Sequence, residues 1–363
     1  MNQGQSRKSV MIMAGGTGGH IFPGLAVAHA LKARDVDVVW LGSEGGMETR
    51  LVPEQGFAIE TLAIKGLRGK GLASLLKAPF TVAGAVAKAR ALMARHKPDA
   101  VVSFGGYTAG PGGVAAYLQG RALLVHEQNC APGLTNRLLA RIAKKVLTGF
   151  PNSFSSVANT TVGNPVRPEI SALATPELRY ASHGGNTRLL VLGGSQGARA
   201  INVLLPTVLA KLADRHAFDI RHQSGEKMHA ETEQAYQLAG IGARVEPFIR
   251  DMAEAYAWAD VVIGRAGALT VSELCAAGVA SILIPLPTAV DDHQAMNAEF
   301  LKSHGGGWWF RQDERLEKNL EDALLDLASH PDRTLQMAKA ARSAACPQAA
   351  EQMADIIIHE MAS

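Results

Sequence analysis

Short runs of apolar, largely β-branched residues alternate along the chain with longer Ala- and Leu-rich stretches, a pattern that predicts strand, helix and strand in succession. The runs are SVMIMA, VDVVWLG, DAVVSFGG, ALLVHEQN and KKVLTGF, with helical stretches such as GLAVAHALKAR between them. Each run is apolar nearly throughout, which predicts parallel strands covered by helices on both faces. After a polar, Pro-bearing passage from about Gly163 to Asn186 the pattern restarts with RLLVLGGSQGARAINVLL. It continues through FDIRHQSG, ARVEPFI, DVVIGRAG and ASILIPLP. The two halves open alike, SVMIMA running into GGTGGH and RLLVL into GGSQGA, each as strand, glycine turn and helix. This predicts an α/β protein of two Rossmann-like lobes facing one another across a cleft. The boundary is expected near Gly163 to Arg167, giving lobes over 1–163 and 164–345, with a final helix in 346–363 packing back on the first lobe.

Composition agrees with two packed domains. The 363 residues are 47% hydrophobic and 19% charged, which leaves ample apolar surface for two cores and no signature of disorder. A net charge of +3 is too small for the whole surface to act as a polyanion binder. Cys130, Cys275 and Cys346 are odd in number and far apart, so a reducing compartment is expected and a zinc or disulfide framework is not. Arg7 and Lys8 before SVMIMA resemble the start of an export signal, but the glycines and His20 interrupt its apolar core. No run of 18 or more apolar residues predicts a membrane span.

The loop MAGGTGGHIFP places four glycines and His20 directly after a strand. A dinucleotide fingerprint requires G-x-G-x-x-G. Gly16 and Gly18 fit, but Ile21 stands at the third glycine position, which argues against a nicotinamide enzyme. Glu44, in the SEGG turn after the second strand, is the residue there able to imitate a ribose-binding acid. Glycines still let backbone N–H groups approach a ligand, and a helix N-terminus favours an anion. The loop is therefore expected to hold phosphates, with His20 at its mouth as an active-site group. In the second half GGSQGA presents Ser195, and GRAGALTVSE puts Arg265, Ala268, Leu269 and Thr270 at another helix start. Glu273, four residues after Leu269, lies on the same side of that helix. A carboxylate there can accept two ribose hydroxyls while main-chain N–H groups receive a diphosphate.

Two metal-like patterns fail on position. Asp35 and Asp37 have the DxD spacing of metal-dependent sugar transferases but lie at the amino end of strand VVWLG, away from the ligand end of an open sheet. His126 and Glu127 begin an HExx pattern in which Cys130 replaces the second histidine, and the pattern follows a strand where the zinc motif needs a helix. No protein-bound metal is expected. From Thr61 to Pro98 there is no acid, while Lys65, Arg68, Lys70, Lys77, Lys88, Arg90, Arg95 and Lys97 are interleaved with Leu72, Leu75, Leu76 and Phe80. Lacking a stacking platform or recognisable motif, this segment is expected to meet an anionic membrane surface and not nucleic acid.

Taken together, GGTGGHIFP, SFGGYTAGPGG, HEQN, GNPVRP, GGSQGA, GRAGALTVSE and DDHQAMNA resemble, in order, the motifs of the MurG family, bacterial transferases that convert lipid I to lipid II in peptidoglycan synthesis. The resemblance runs from Gly15 to about Ala298. It implies a GT-B fold and an inverting reaction. The 4-hydroxyl of the N-acetylmuramoyl unit attacks the anomeric carbon of UDP-N-acetylglucosamine, releasing UDP and forming a β-1,4 link. The resemblance also implies a donor site in the second lobe. There Ile249 would meet uracil through its backbone, Glu273 would hold the ribose and Gln294 would contact the sugar. Ser195, Arg167, Ala268, Leu269 and Thr270 would lie by the diphosphate, with Arg265, Val271 and Ser272 in the same segment. Thr17, Gly18 and Gly19 would receive the acceptor's diphosphate. His20, Tyr107, Glu127 and Asn129 would surround the reacting centre, Asn129 on its donor side. Either His20 or Glu127 is of a type to take the proton from the attacking hydroxyl. Also implied are a peripheral position on the cytoplasmic face of the bacterial inner membrane, no cofactor, and partners among cell-wall synthesis and division proteins. The alternatives are a GT-B transferase for another lipid or natural-product acceptor and a non-catalytic membrane-binding scaffold. The scaffold would leave the glycine loops and Glu273 without a purpose.

Overall fold

The computed structural model describes residues 7–64, 72–194 and 197–362, with 72–78 and residue 290 described by backbone alone. The chain forms two compact units, Met1–Val166 with Cys346–Ser363, and Arg167–Ala345. Lys65, Arg68, Lys70 and Ser195 lie outside the described residues.

The first unit holds seven parallel strands: β1 (Ser9–Ala14), β2 (Asp37–Ser43), β3 (Ala58–Leu62), β4 (Ala100–Gly105), β5 (Ala122–Glu127), β6 (Lys145–Thr148) and β7 (Thr160–Thr161). Their order is β3-β2-β1-β4-β5-β6-β7. The second unit holds six: β8 (Thr187–Leu192), β9 (Phe218–Gln223), β10 (Arg244–Glu246), β11 (Val261–Gly264), β12 (Ala280–Leu283) and β13 (Gly307–Trp309). They are also parallel, in the order β10-β9-β8-β11-β12-β13.

Strand β1 shows why such runs must be apolar. Val10, Met11, Ile12 and Met13 are all fully buried, since alternate side chains enter separate cores on the two faces of the sheet. Val10 and Ile12 pack with Leu31 and Trp40, whereas Met11 and Met13 pack with Ala89, Met93 and Leu139. Ile21, at the failed third glycine position, fills the first of these cores. Close helix–strand packing instead falls to Gly24, where a Cβ would lie 2.7 Å from the Trp40 ring. The final helix, Ala349–Ala362, contributes Met353, Ala354 and Ile357 to that same core. Asp355 on it pairs with Arg34 at 2.8 Å.

Strands β3, β7 and β13 are absent from the reading of the sequence, and all three are sheet edges. An edge strand has one unpaired side and tolerates short or polar sequence. Thr160–Thr161 is two exposed threonines, and Glu60 in β3 pairs with Arg95 and His96.

Each unit also buries a histidine whose two nitrogens are spent on internal hydrogen bonds. His126 in β5 donates from Nε2 to the Gly163 carbonyl (3.0 Å), and its Nδ1 accepts from Gln128 (3.0 Å). His222 in β9 donates from Nε2 to Asn202 Oδ1 (3.0 Å) and accepts from the Tyr236 hydroxyl (2.9 Å). Burial lowers His126 to about 4 and His222 to about 3, from an ordinary 6.5. Below pH 6.5 the unfolded chain therefore takes up protons that the folded units refuse, and stability falls with pH. The expected loss is roughly 2 kcal/mol per histidine between pH 6.5 and 5. Urea titrations at pH 7 and pH 5 measure it, and equal midpoints at the two values would contradict it.

Candidate active site

In an open parallel sheet the ligand end is the carboxyl end of the strands, at the point where strand order reverses. That point falls between β1 and β4 in the first unit and between β8 and β11 in the second. The glycine loops singled out in the sequence leave these four strands.

After β1 the chain turns through Gly15 and Gly16 (φ +88°) into the helix Gly18–Lys32, with Thr17 extended at its N-cap. The amides of His20 and Ile21 donate to the Thr17 carbonyl (3.1 and 3.2 Å), and the amides of Gly18 and Gly19 open the helix. His20 is half-buried, with Nδ1 3.1 Å from the Gly15 carbonyl. Its ring lies over Gly105, where a Cβ would come within 3.1 Å of Nε2. Gly105 (φ +104°) and Gly106 (φ +93°) end β4, and a Cβ on Gly106 would stand 2.5 Å from the Gly15 oxygen. Tyr107 follows, exposed. The fold thus brings Thr17, Gly18, Gly19 and His20 beside the loop that carries Tyr107.

Two carboxylates differ from their sequence reading. Glu44 is exposed and pairs with Lys88 at 3.3 Å. The buried acid of that turn is Glu48, fully enclosed and accepting the amides of Ser43 (2.8 Å) and Gly16 (3.2 Å). Glu127, one of the two candidate bases, ends β5 at 2% exposure. Its Oε1 accepts the Asn129 amide (2.9 Å) and side chain (3.1 Å), and its Oε2 accepts the Gly133 amide (3.1 Å) and Asn136 Nδ2 (3.0 Å). With four donors its lone pairs are occupied. Glu127 thus ties Asn129, Gly133 and Asn136 together and closes the loop Gln128–Gly133.

In the second unit the helix Ala268–Ala277 starts after β11 with Gly267 as N-cap. Ala268, Leu269 and Thr270 form its first turn, Val271 returns its amide to the Gly267 carbonyl (2.9 Å), and the Ser272 hydroxyl donates back to Ala268 (3.0 Å). Glu273 is buried, not solvated. Its Oε1 accepts Nε and Nη2 of Arg167 (3.1 and 2.7 Å), and its Oε2 accepts the Tyr256 hydroxyl (3.2 Å). Burial pushes the Glu273 carboxyl up, and Arg167 and Tyr256 pull it back. Arg265 turns inward, donating to the carbonyls of Ile284 (3.0 Å) and Pro285 (3.3 Å) and to Gln312 (2.8 Å). It ties the loops after β11 and β12 together. The Ile249 amide donates to Gln223 Oε1 (3.2 Å), and Gln294 accepts the Leu286 amide (3.0 Å). Beneath the GGSQGA loop, unnoticed in the sequence, Asn202 joins His222 to the Ser224 carbonyl (2.9 Å). Only the burial of polar residues on an apolar helix face, as in AINVLL, hints at it.

The N-terminal domain model of glycosyltransferase family 28 matches residues 10–148, and the C-terminal domain model matches residues 188–355. The chain belongs to glycosyltransferase family 28. A relative from Xylella fastidiosa strain M12 is 57% identical over 97% of this chain and 96% of its own. One from Xanthomonas campestris pv. campestris strain 8004 is 58% identical over 98% of this chain and 82% of its own. Both are named UDP-N-acetylglucosamine--N-acetylmuramyl-(pentapeptide) pyrophosphoryl-undecaprenol N-acetylglucosamine transferase. The crystal structure of Acinetobacter baumannii MurG, 40% identical, superposes with a TM-score of 0.85 over 97% of this chain and 99% of that one. A glycotransferase of kitacinnamycin, 16% identical at a TM-score of 0.70, shares the fold. Membership of family 28 makes the chain a two-domain glycosyltransferase with the GT-B arrangement of sheets.

Removing Arg167 strands a buried carboxylate, whereas Arg167 itself is partly exposed. Arg167→Met is expected to destabilise the second unit by about 3 kcal/mol at pH 7. The deficit should shrink as the pH falls, because burial already pushes the Glu273 carboxyl up and the loss of Arg167 removes a group that pulls it back. Denaturation followed by the fluorescence of Trp258, Trp308 and Trp309, compared with the parent at each pH, measures this. A deficit independent of pH would contradict it.

Proposed function

We propose that this chain transfers N-acetylglucosamine from UDP-N-acetylglucosamine to the 4-hydroxyl of the N-acetylmuramoyl unit of lipid I, with inversion, to give lipid II. The observation that carries the reading is the 57–58% identity, over nearly the whole chain, to relatives named for that transfer.

The second unit takes the donor. Glu273 accepts the ribose hydroxyls, and Arg167, the partly exposed partner of the pair, exchanges Glu273 for the diphosphate as those hydroxyls take its place on the carboxylate. The amides of Ala268, Leu269 and Thr270 meet the charge that grows on the β-phosphate as UDP leaves. Fixed N–H dipoles and an arginine stabilise that charge without a divalent ion, each donor being worth ~3 kcal/mol, about a hundredfold in rate. In the first unit the helix start at Gly18 and Gly19 receives the acceptor's diphosphate. His20 is the base. With Nδ1–H donating to the Gly15 carbonyl, the Nε2 lone pair is left to take the hydroxyl proton. Glu127 positions Asn129.

The same unit seats the protein on the membrane. Phe80, Tyr117, Leu118, Leu134 and Leu138 are exposed on three helices that pack side by side, Leu72–His96, Ala109–Leu118 and Leu134–Leu139. Arg137 and Arg141 are exposed beside them. Among the described residues no helix is long and apolar enough to cross a bilayer. Interfacial apolar residues with nearby cations bind an anionic surface peripherally, here the cytoplasmic face of the inner membrane.

With a lipid I analogue as acceptor, His20→Ala is expected to lower kcat at least about a hundredfold and leave the KM for UDP-N-acetylglucosamine nearly unchanged. Normal turnover would remove His20 as the base. Flotation with vesicles containing anionic lipid is expected to weaken with salt and with Phe80→Ser. Binding indifferent to lipid charge and salt would overturn the membrane reading.

A further inference from the structure

Glu48 is a fully buried carboxylate closely approached by glycine backbone. A Cβ on Gly15 would lie 2.3 Å from its Oε1, one on Gly42 2.6 Å from its Cγ, and one on Gly46 2.5 Å from its Cδ. Three glycines, in the loop after β1, the end of β2 and the turn that follows, thus close around one side chain. A carboxylate removed from water must be met by donors, and two of the groups meeting it are the amides of Ser43 and Gly16.

The Gly16 amide has a second end. Its N–H and the carbonyl of Gly15 belong to the same peptide unit, and that carbonyl is the group 3.1 Å from His20 Nδ1. The unit is clamped from the other side by Gly106, where no Cβ fits against the Gly15 oxygen. Carboxylate, peptide and imidazole therefore stand in a line: Glu48 Oε2 accepts from Gly16 N–H, and Gly15 C=O accepts from His20 Nδ1–H. Resonance couples the two ends of a peptide. A negative acceptor at the N–H raises the electron density on the carbonyl oxygen and strengthens the bond that it accepts.

We propose that Glu48 is a positioning residue that acts on His20 through the Gly15–Gly16 peptide. It holds the Nδ1–H tautomer and favours the imidazolium that forms as Nε2 takes the substrate proton. The division of labour is that of a histidine oriented by a buried carboxylate, with one peptide inserted between the two side chains. The inference rests on His20 acting as the base.

Spectra that correlate ring protons with nitrogens in the 15N-histidine-labelled protein, with His20 assigned through His20→Ala, read the tautomer directly. The expected state at neutral pH is protonated Nδ1 and bare Nε2. Glu48→Gln, which presents an NH2 or a neutral oxygen to Gly16, is expected to mix the tautomers. It should lower kcat about tenfold or more while leaving the KM for UDP-N-acetylglucosamine unchanged, because the groups Glu48 bonds, Ser43 and Gly16, are not among the donor residues. A His20 protonated on Nε2 in the parent protein would overturn the proposal even if Glu48→Gln does not fold. So would an unchanged tautomer and kcat in Glu48→Gln when His20→Ala is inactive. Normal turnover in His20→Ala would instead remove the base itself.

Discussion

A carboxylate taken out of water costs several kcal/mol unless donors surround it, and this constraint organises the ligand end of both sheets. The buried glutamates among the described residues are Glu48, Glu127 and Glu273, and each is satisfied by a different kind of donor. Glu48 is met by main-chain amides from the end of β2 and the loop after β1, Glu127 chiefly by the loop it begins, and Glu273 by Arg167 and Tyr256. The first two set the backbone from which His20 and Asn129 project. The third holds a carboxylate and an arginine together in the unit proposed to take the nucleotide. A shift in any of these segments would cost the carboxylate a donor.

Glycine is the other half of that arrangement. At Gly15, Gly42 and Gly46 the obstacle to a side chain is Glu48 itself, and at Gly106 it is the Gly15 carbonyl. The four glycines of MAGGTGGHIFP therefore do not serve a single ligand. Gly15 makes room for a buried acid, Gly16 supplies a positive φ, and Gly18 and Gly19 open a helix. This is why the loop fails the dinucleotide pattern at Ile21, a core residue, and still sits where a phosphate site belongs.

Much of the fold was legible because central parallel strands are apolar on both faces and the same strand, glycine turn and helix recurs after Asn186. The edge strands were not legible, since pairing on one side leaves two exposed threonines in β7 and a charged Glu60 in β3. The glycine loops and Glu273 were visible as types at helix starts. What sequence could not supply was the direction of a side chain. Glu44 and Glu48 share one turn, and only packing buries the second. Arg265 reads as a diphosphate ligand, and nothing in its spacing announces the bonds to the Ile284 and Pro285 carbonyls. Glu127 reads as one of two candidate bases, and the four donors that meet it are not visible in its spacing. In each case the deciding fact is a contact between residues distant in the chain or between a side chain and backbone, which spacing does not encode.

The most direct test is transfer of radiolabelled N-acetylglucosamine from its UDP donor to a short-chain lipid I analogue in excess EDTA. The proposed chemistry, with the departing diphosphate stabilised by backbone amides and an arginine, predicts a labelled lipid II analogue at an undiminished rate. Tight UDP binding without labelled product, or transfer that EDTA abolishes and a divalent cation restores, would contradict it.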